Sequence, residues 1–421
     1  MMQTISLQPG ITLRHFRDTR FKQGCLSFQF LTPMDANSAA MNALLPSVLL
    51  RGTVSCPDLR AITARLDTLY GASVSPLVRR VGDYQTTGLY CSFMDDRFAL
   101  PGAQVMAPMI AFLGQLLLDS PVEAGGFLSA FVESEKKNLI STIESELNDK
   151  RLWSMAQLLK IMGKNDTFGL PRLGQVEEVA AITPQSLYRH REKLLRDAPI
   201  EIFYVGSAEV GQVADLLQPL LSCFPQGVRS PLPPQTPLAE CASEHARKAL
   251  DVSQGKLCLG YTTEITNRDP RYPAMQVMNA LFGAGMTSKL FQNVREKLSL
   301  CYSIGSSYYG SKGILTVSAG IDFDKEDLTR EEGAGQLNAC REGQITPQEL
   351  TAAKEALLSA LRATLDSPAA MEGYFSTAAL SGMPLGYEEY MQAIAAVTVS
   401  DVVACANTLK LHSSFFLEGG R

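Results

Sequence analysis

Two stretches far apart in the chain share one order of apolar and polar positions. Gln23-Gly24-Cys25-Leu26-Ser27-Phe28-Gln29-Phe30 alternates as a strand does, and so does Gln254-Gly255-Lys256-Leu257-Cys258-Leu259-Gly260-Tyr261. Each precedes a helical stretch with the same four residues, Met41-Asn42-Ala43-Leu44 and Met278-Asn279-Ala280-Leu281. Residues 60–69 predict an amphipathic helix with Ile62, Leu66 and Leu69 on one face, ended by Tyr70-Gly71. Residues 84–93 predict a strand, and residues 201–206 a short apolar strand leading through a turn into a helix over 209–221. In the second half Ser288 is placed to cap a helix whose buried face is Leu290, Val294 and Leu298, with Phe291 and Arg295 one turn apart beside it. Residues 301–309 then predict a strand, and Gly310-Ser311-Lys312-Gly313 a hairpin turn into residues 314–318.

The repeated order of strand, helix and downstream strand implies a duplication. Residues 225–240 hold five prolines in sixteen positions, which excludes a helix or central strand there and marks a linker. The expected division is 1–224, a linker at 225–240, and 241–421. A chain of 421 residues suits two domains, and 46% hydrophobic with 19% charged residues excludes disorder.

Composition narrows the function by exclusion. A net charge of -5 offers no footprint for nucleic acid or an anionic membrane surface. The longest apolar stretch, 105–118, is broken by Gly114 and Gln115 and falls short of the ~20 residues a bilayer span needs. The first eight residues do not read as a secretory signal, so a cytoplasmic location is expected. Nine scattered cysteines without a CxxC read as reduced, buried thiols. His15, His190, His245 and His412 stand singly, with no metal-binding spacing between them. There is no Gly-x-Ser-x-Gly elbow, and the Gly283-Ala284-Gly285 turn lacks the Lys-Ser/Thr of a phosphate loop.

The stretch Leu281-Phe282-Gly283-Ala284-Gly285-Met286-Thr287-Ser288-Lys289-Leu290-Phe291-Gln292-Asn293-Val294-Arg295-Glu296-Lys297, followed by Leu300-Cys301-Tyr302-Ser303-Ile304, resembles the carboxy-terminal signature of the M16, or insulinase-like, peptidases. The frame from Ala43 to Gly52-Thr53 resembles the helix on which that family carries His-x-x-Glu-His, where two imidazoles bind zinc and the Glu serves as general base. Here the three places read Ala43, Pro46 and Ser47, none of which can do those jobs. The family's third ligand is a Glu on a downstream helix, for which residues 130–147 are the candidate. Aligning Glu135 with the family's upstream acid puts that ligand position at Thr142, with Glu144 as a rival. The acids Glu133, Glu135, Glu144, Glu146 and Asp149 otherwise read as a solvated face with Lys136 and Lys137.

What the resemblance implies is an α+β chain of two similar domains, each an antiparallel sheet with packed helices, closing as a clamshell. It also implies that Arg295 and Tyr302 hold the places of the Arg and Tyr that grip substrate backbone near the scissile carbonyl. Without it, Arg295 reads as the partner of a nearby carboxylate and Tyr302 as a strand residue. No metal or cofactor is expected. The implied role is a zinc-less subunit that lends Arg295 and Tyr302 to a zinc-bearing M16 paralogue, as a heterodimer, with peptide as substrate; a homodimer, a purely structural or assembly subunit, and an independent hydrolase are the alternatives.

Overall fold

The computed structural model describes residues 2–146, 148–384 and 386–420, so Leu147 at the end of the 130–147 stretch lies outside the described residues. The strands of the first half are Gln3–Gln8 (β1), Ile11–Arg17 (β2), Gln23–Pro33 (β3), Ser73–Val81 (β4), Tyr84–Met94 (β5), the short hairpin Val122–Glu123 (β6) with Gly126–Phe127 (β7), and Ile200–Gly206 (β8). Its helices are Ala36–Leu49 (α1), Leu59–Thr68 (α2), Met106–Leu118 (α3), Ser129–Glu146 (α4), Lys150–Met162 (α5), Val176–Ala181 (α6), Pro184–Asp197 (α7) and Val210–Ser222 (α8). The second half adds strands His245–Leu250 (β9), Gly255–Thr262 (β10), Cys301–Tyr309 (β11), Ile314–Ile321 (β12) and Lys410–Gly419 (β13). Its helices are Tyr272–Phe282 (α9), Glu326–Arg341 (α10), Pro347–Thr364 (α11), Pro368–Ser381 (α12), Tyr387–Ala396 (α13) and Val399–Thr408 (α14), with a π-helical segment at Leu290–Lys297. No single helix among the described residues is long and apolar enough to cross a membrane.

The duplication is visible in the sheets. The first runs β1-β2-β8-β3-β5-β4 and the second β11-β12-β10-β13-β9. Reading outward from β3 and from β10, the pairings match: β3 is antiparallel to β5 and β8, as β10 is to β12 and β13. The expected α+β class is found, but the sheets are mixed rather than purely antiparallel. β2 runs parallel to β8, and β9 parallel to β13. These partners meet across long insertions, so no hairpin turn dictates their direction.

The chain forms two compact units that are not continuous in sequence. One comprises residues up to Glu144, Pro171–Pro234 and Leu365–Thr377; the other Ser145–Leu170, Gln235–Thr364 and the chain from Ala378 on. In the first, Leu26, Phe28 and Phe30 of β3 turn one way into a core with Leu44, Leu45 and Val48 of α1. Burying each such side chain is worth roughly 1.5–3 kcal/mol. The other face of β3 is not solvated. Ser27 and Gln29 donate to the carboxylate of Glu372 on α12, at 2.7 and 2.9 Å, and Arg79 of β4 closes on it through two nitrogens at 2.7 and 3.0 Å. Glu372 is wholly buried. In the second unit, Leu158 and Met162 of α5 pack on Cys258, Phe415 and Leu417 of the sheet. Nearby, the buried Lys312 of the expected hairpin turn pairs with Asp166 at 2.9 Å.

Helix α2 buries Ile62 and ends where Tyr70 and Gly71 take left-handed backbone, with φ of 60° and 70°. The expected strands at 84–93 and 301–309 are found within β5 and as β11. Leu298 departs from expectation: Leu290 and Val294 are buried, but Leu298 is 43% exposed. In a helix with i→i+5 bonds a step of four residues stops short of a turn, and Leu298 already lies past its last residue.

Candidate peptide-contact site and the emptied metal helix

Helix α1 carries Pro46 in its interior. Proline has no N–H, so the carbonyl of Asn42, four residues earlier, loses its helical donor. The Thr87 hydroxyl of β5 replaces it, donating to that carbonyl at 2.6 Å. The Asn42 side chain is equally committed: its amide donates to Gln85 at 2.8 Å and Thr32 at 3.0 Å, and its oxygen meets His190 Nε2 at 2.7 Å. Because Asn42 Oδ1 can only accept, Nε2 carries the proton in this bond. Burial pushes the His190 imidazole down to about 4, so it is neutral at ordinary pH. Ala43 and Pro46 are buried and Ser47 half-buried. After the helix, Thr53 closes a loop with Cys56, the Cys56 N–H donating to its hydroxyl at 2.9 Å.

Helix α4 offers nothing to a metal on this side. Thr142 is exposed and its hydroxyl donates back to the Asn138 carbonyl at 2.9 Å, and Glu144 is exposed. Glu135 is held by Arg51, one turn beyond Ser47, at 3.3 Å. The resident guanidinium supplies the positive charge that this acid faces. The expected solvated face is interrupted at Lys136, which is buried with its ammonium on the Ile182 carbonyl at 2.9 Å. Among the described residues no three His, Cys, Asp or Glu side chains are grouped to hold a metal ion. The histidines each meet a local partner: His15 the Ala208 carbonyl, His245 the Ser414 hydroxyl, and His412 the Cys241 carbonyl. None of the nine cysteines is in a disulfide.

Arg295 and Tyr302 come together in the second unit. The π-helical segment follows a turn in which the Ser288 hydroxyl donates to the Gly285 carbonyl at 2.6 Å and accepts from Phe291 N–H at 3.4 Å. Two residues past the segment lies Ser299, a non-glycine residue with φ of 52°. At the start of β11 the ladder to β12 slips between Cys301 and Ser303, leaving Tyr302 as the bulged residue. A bulge re-aims its side chain, and Tyr302 is 61% exposed at a sheet edge. The Arg295 guanidinium lies 4.6 Å from the Phe291 ring centroid, donates through Nε to the Tyr302 carbonyl at 3.0 Å, and pairs with Glu296 at 2.8 Å. Arg295 thus has the carboxylate partner expected of a surface arginine and, in addition, a bond that holds it beside Tyr302.

A cavity of about 350 Å³ opens here, lined by both residues together with Cys301, Asp322 and Lys325. The phenol donates to Asp322 Oδ1 at 2.9 Å, and Asp322 Oδ2 meets Lys325 Nζ at 2.8 Å. Hydrogen bonding from Lys325 and Tyr302 holds the Asp322 carboxyl below its ordinary range, and the bond to Asp322 raises the phenol. Burial pushes the Cys301 thiol up to about 11, so it is no thiolate nucleophile. Asp322 and Lys325 escaped the sequence reading. The hairpin that pairs Tyr309 with Ile314 brings Ile321 opposite Cys301, so counting back along it places Asp322 beside Tyr302.

Comparison with known proteins bears on the fold and the family. A family profile described as Peptidase M16 inactive domain matches residues 181–357. Along 97% of the chain and 96% of the relative, the sequence is 29% identical to the probable inactive metalloprotease YmfF of Bacillus subtilis. A crystal structure of a conserved protein from Enterococcus faecalis superposes over 100% of this chain and 99% of its own with a TM-score of 0.90 at 28% identity. The peptidase M16 inactive domain from Pseudomonas fluorescens shares the fold, with a TM-score of 0.82 at 17% identity over 100% and 98% of the two chains. With the signature around Arg295 and Tyr302 in place and α1 carrying Ala43, Pro46 and Ser47, the chain is similar to proteins described as an M16 inactive domain and as a probable inactive metalloprotease.

Proposed function

We propose that this chain is a non-catalytic M16 subunit that contacts peptide through Arg295 and Tyr302 and contributes both to the active site of a zinc-bearing M16 paralogue. The observation that carries this reading is the presentation of the pair: a bulge and a strained turn at an exposed sheet edge bring the Arg295 guanidinium onto the Tyr302 backbone, and both residues line one cavity. The helix that would bear zinc carries Ala43, Pro46 and Ser47, and the third-ligand position falls at Thr142, with Glu144 as its rival. A guanidinium beside a phenol suits the alternating carbonyls and N–H groups of an extended peptide. On this reading the chain works as a heterodimer in the cytoplasm, where nine free thiols are at home. We also take 1–224 and 241–421 as the duplicated halves, joined by 225–240.

The test is to co-purify the chain with a candidate metal-bearing homologue and compare peptide turnover. Arg295→Ala should lower turnover on the order of 10²-fold, and Tyr302→Phe about tenfold, with the complex intact by size. Full activity in both variants would favour a purely structural subunit. Loss of the complex would make the pair an interface feature.

A further inference from the structure

The Tyr302 hydroxyl has one proton, and that proton is already committed. It points to Asp322 Oδ1 at 2.9 Å, while Lys325 at 2.8 Å holds the other carboxylate oxygen. A hydrogen bond to an ionised acceptor is about twice as strong as one between neutral groups, so a neutral peptide carbonyl is the weaker acceptor for that proton. The phenol oxygen keeps its acceptor capacity. Arg295 is the complement: its Nε is bound to the Tyr302 carbonyl and its Nη1 to Glu296, while Nη2 has no partner among the described residues. The site therefore shows a ligand an uncommitted guanidinium nitrogen and a phenol acceptor on the wall of one cavity.

We propose that Asp322 is a positioning residue that accepts the hydrogen bond of the Tyr302 hydroxyl, so that Tyr302 accepts from a peptide N–H while Arg295 donates to a neighbouring carbonyl. This rests on the peptide-contact reading above and changes its polarity, since the resemblance implies a phenol that donates to a carbonyl. The ligand class follows: an extended peptide with an intact backbone N–H at the Tyr302 position. A proline, or any linkage without that hydrogen, is disfavoured there. Lys325 supports the arrangement by keeping Asp322 ionised, and the raised phenol keeps its proton to give.

The experiment uses the full chain and fluorescein-labelled synthetic decapeptides of random sequence. The tightest binder by anisotropy is remade with each amide replaced in turn by an ester, which removes the N–H and keeps the carbonyl. At one position the ester should weaken binding to the wild-type chain by about tenfold, the worth of one hydrogen bond. Tyr302→Phe should bind the parent peptide about tenfold more weakly and be blind to the ester at that position. Asp322→Ala should lose most of the same discrimination, Asp322→Asn should lose part of it because its neutral amide oxygen holds the phenol proton no better than a peptide carbonyl does, and the Tyr302→Phe and Asp322→Ala losses should not add. Thermal melts of all variants should match the wild type. If Arg295→Ala weakens binding but no ester does so in a Tyr302-dependent way, the polarity is wrong and the peptide-contact reading stands. If no decapeptide binds, or Arg295→Ala and Tyr302→Phe bind as wild type, that reading fails and the inference with it.

Discussion

The helix α1 region and the Arg295–Tyr302 region put their polar groups to opposite uses. Around α1 and on the opposite face of β3 they turn inward and saturate one another: Asn42 with Gln85, Thr32 and His190, Thr87 with the carbonyl that Pro46 leaves unpaired, and across the sheet Glu372 with Ser27, Gln29 and Arg79. Around Tyr302 they sit at the surface, and one guanidinium nitrogen remains uncommitted among the described residues. The polar groups under α1 and across its sheet are therefore structural, each bonded within its own compact unit. What the other half keeps at its surface is available for recognition. Substitutions in the first region should change stability, and those in the second should change binding.

The largest effect should come from Arg79→Met. It leaves the Glu372 carboxylate buried without its counter-charge, a loss of about 3–5 kcal/mol in urea unfolding. A cost under about 1 kcal/mol would mean that the inward network holds nothing together. His190 supplies the pH dependence. Its folded pKa, about 4, lies below the ordinary 6.5, so between these values the unfolded chain binds more protons. Its contribution is complete above pH 6.5 and is lost as the pH falls toward 4, by up to about 3 kcal/mol. His190→Gln should flatten that part of the profile, and an unchanged slope would move the titrating group elsewhere.

A smaller and more pointed effect is expected at Thr87. Thr87→Val orphans the Asn42 carbonyl at a cost of about 1–3 kcal/mol, which should shrink in a Pro46→Ala background, where Ala at that position brings back the helical N–H. Equal costs in both backgrounds would break the link between the proline and the strand threonine. The smallest effects should be those of Arg295→Ala and Tyr302→Phe, within about 0.5 kcal/mol of wild type. A destabilisation well beyond that would erase the contrast between the regions.

The elements with a local signature were legible in the sequence. Alternation and a Gly-rich turn define the β11–β12 hairpin, and an apolar stripe ended by Tyr70-Gly71 defines α2. Arg295 and Tyr302 were singled out through a signature of contiguous residues, and they line one cavity. What stayed hidden depends on partners distant in sequence. The polar face of β3 reads as solvent-facing, yet it is covered by α12 through residues some 345 positions away. The parallel pairings of β2 with β8 and β9 with β13 carry no turn signal. Leu298 failed because a π-helical turn looks like an α-helical one in the apolar pattern.

The account stands most directly on the claim that the first half has no metal chemistry of its own. Titrating the purified, chelator-treated chain with zinc and counting bound metal after dialysis tests it. The account predicts far less than one zinc per chain, since Ala43, Pro46 and Ser47 offer no ligands and Arg51 already engages Glu135. One tightly held zinc per chain, with peptide cleavage that a chelator abolishes, would contradict it.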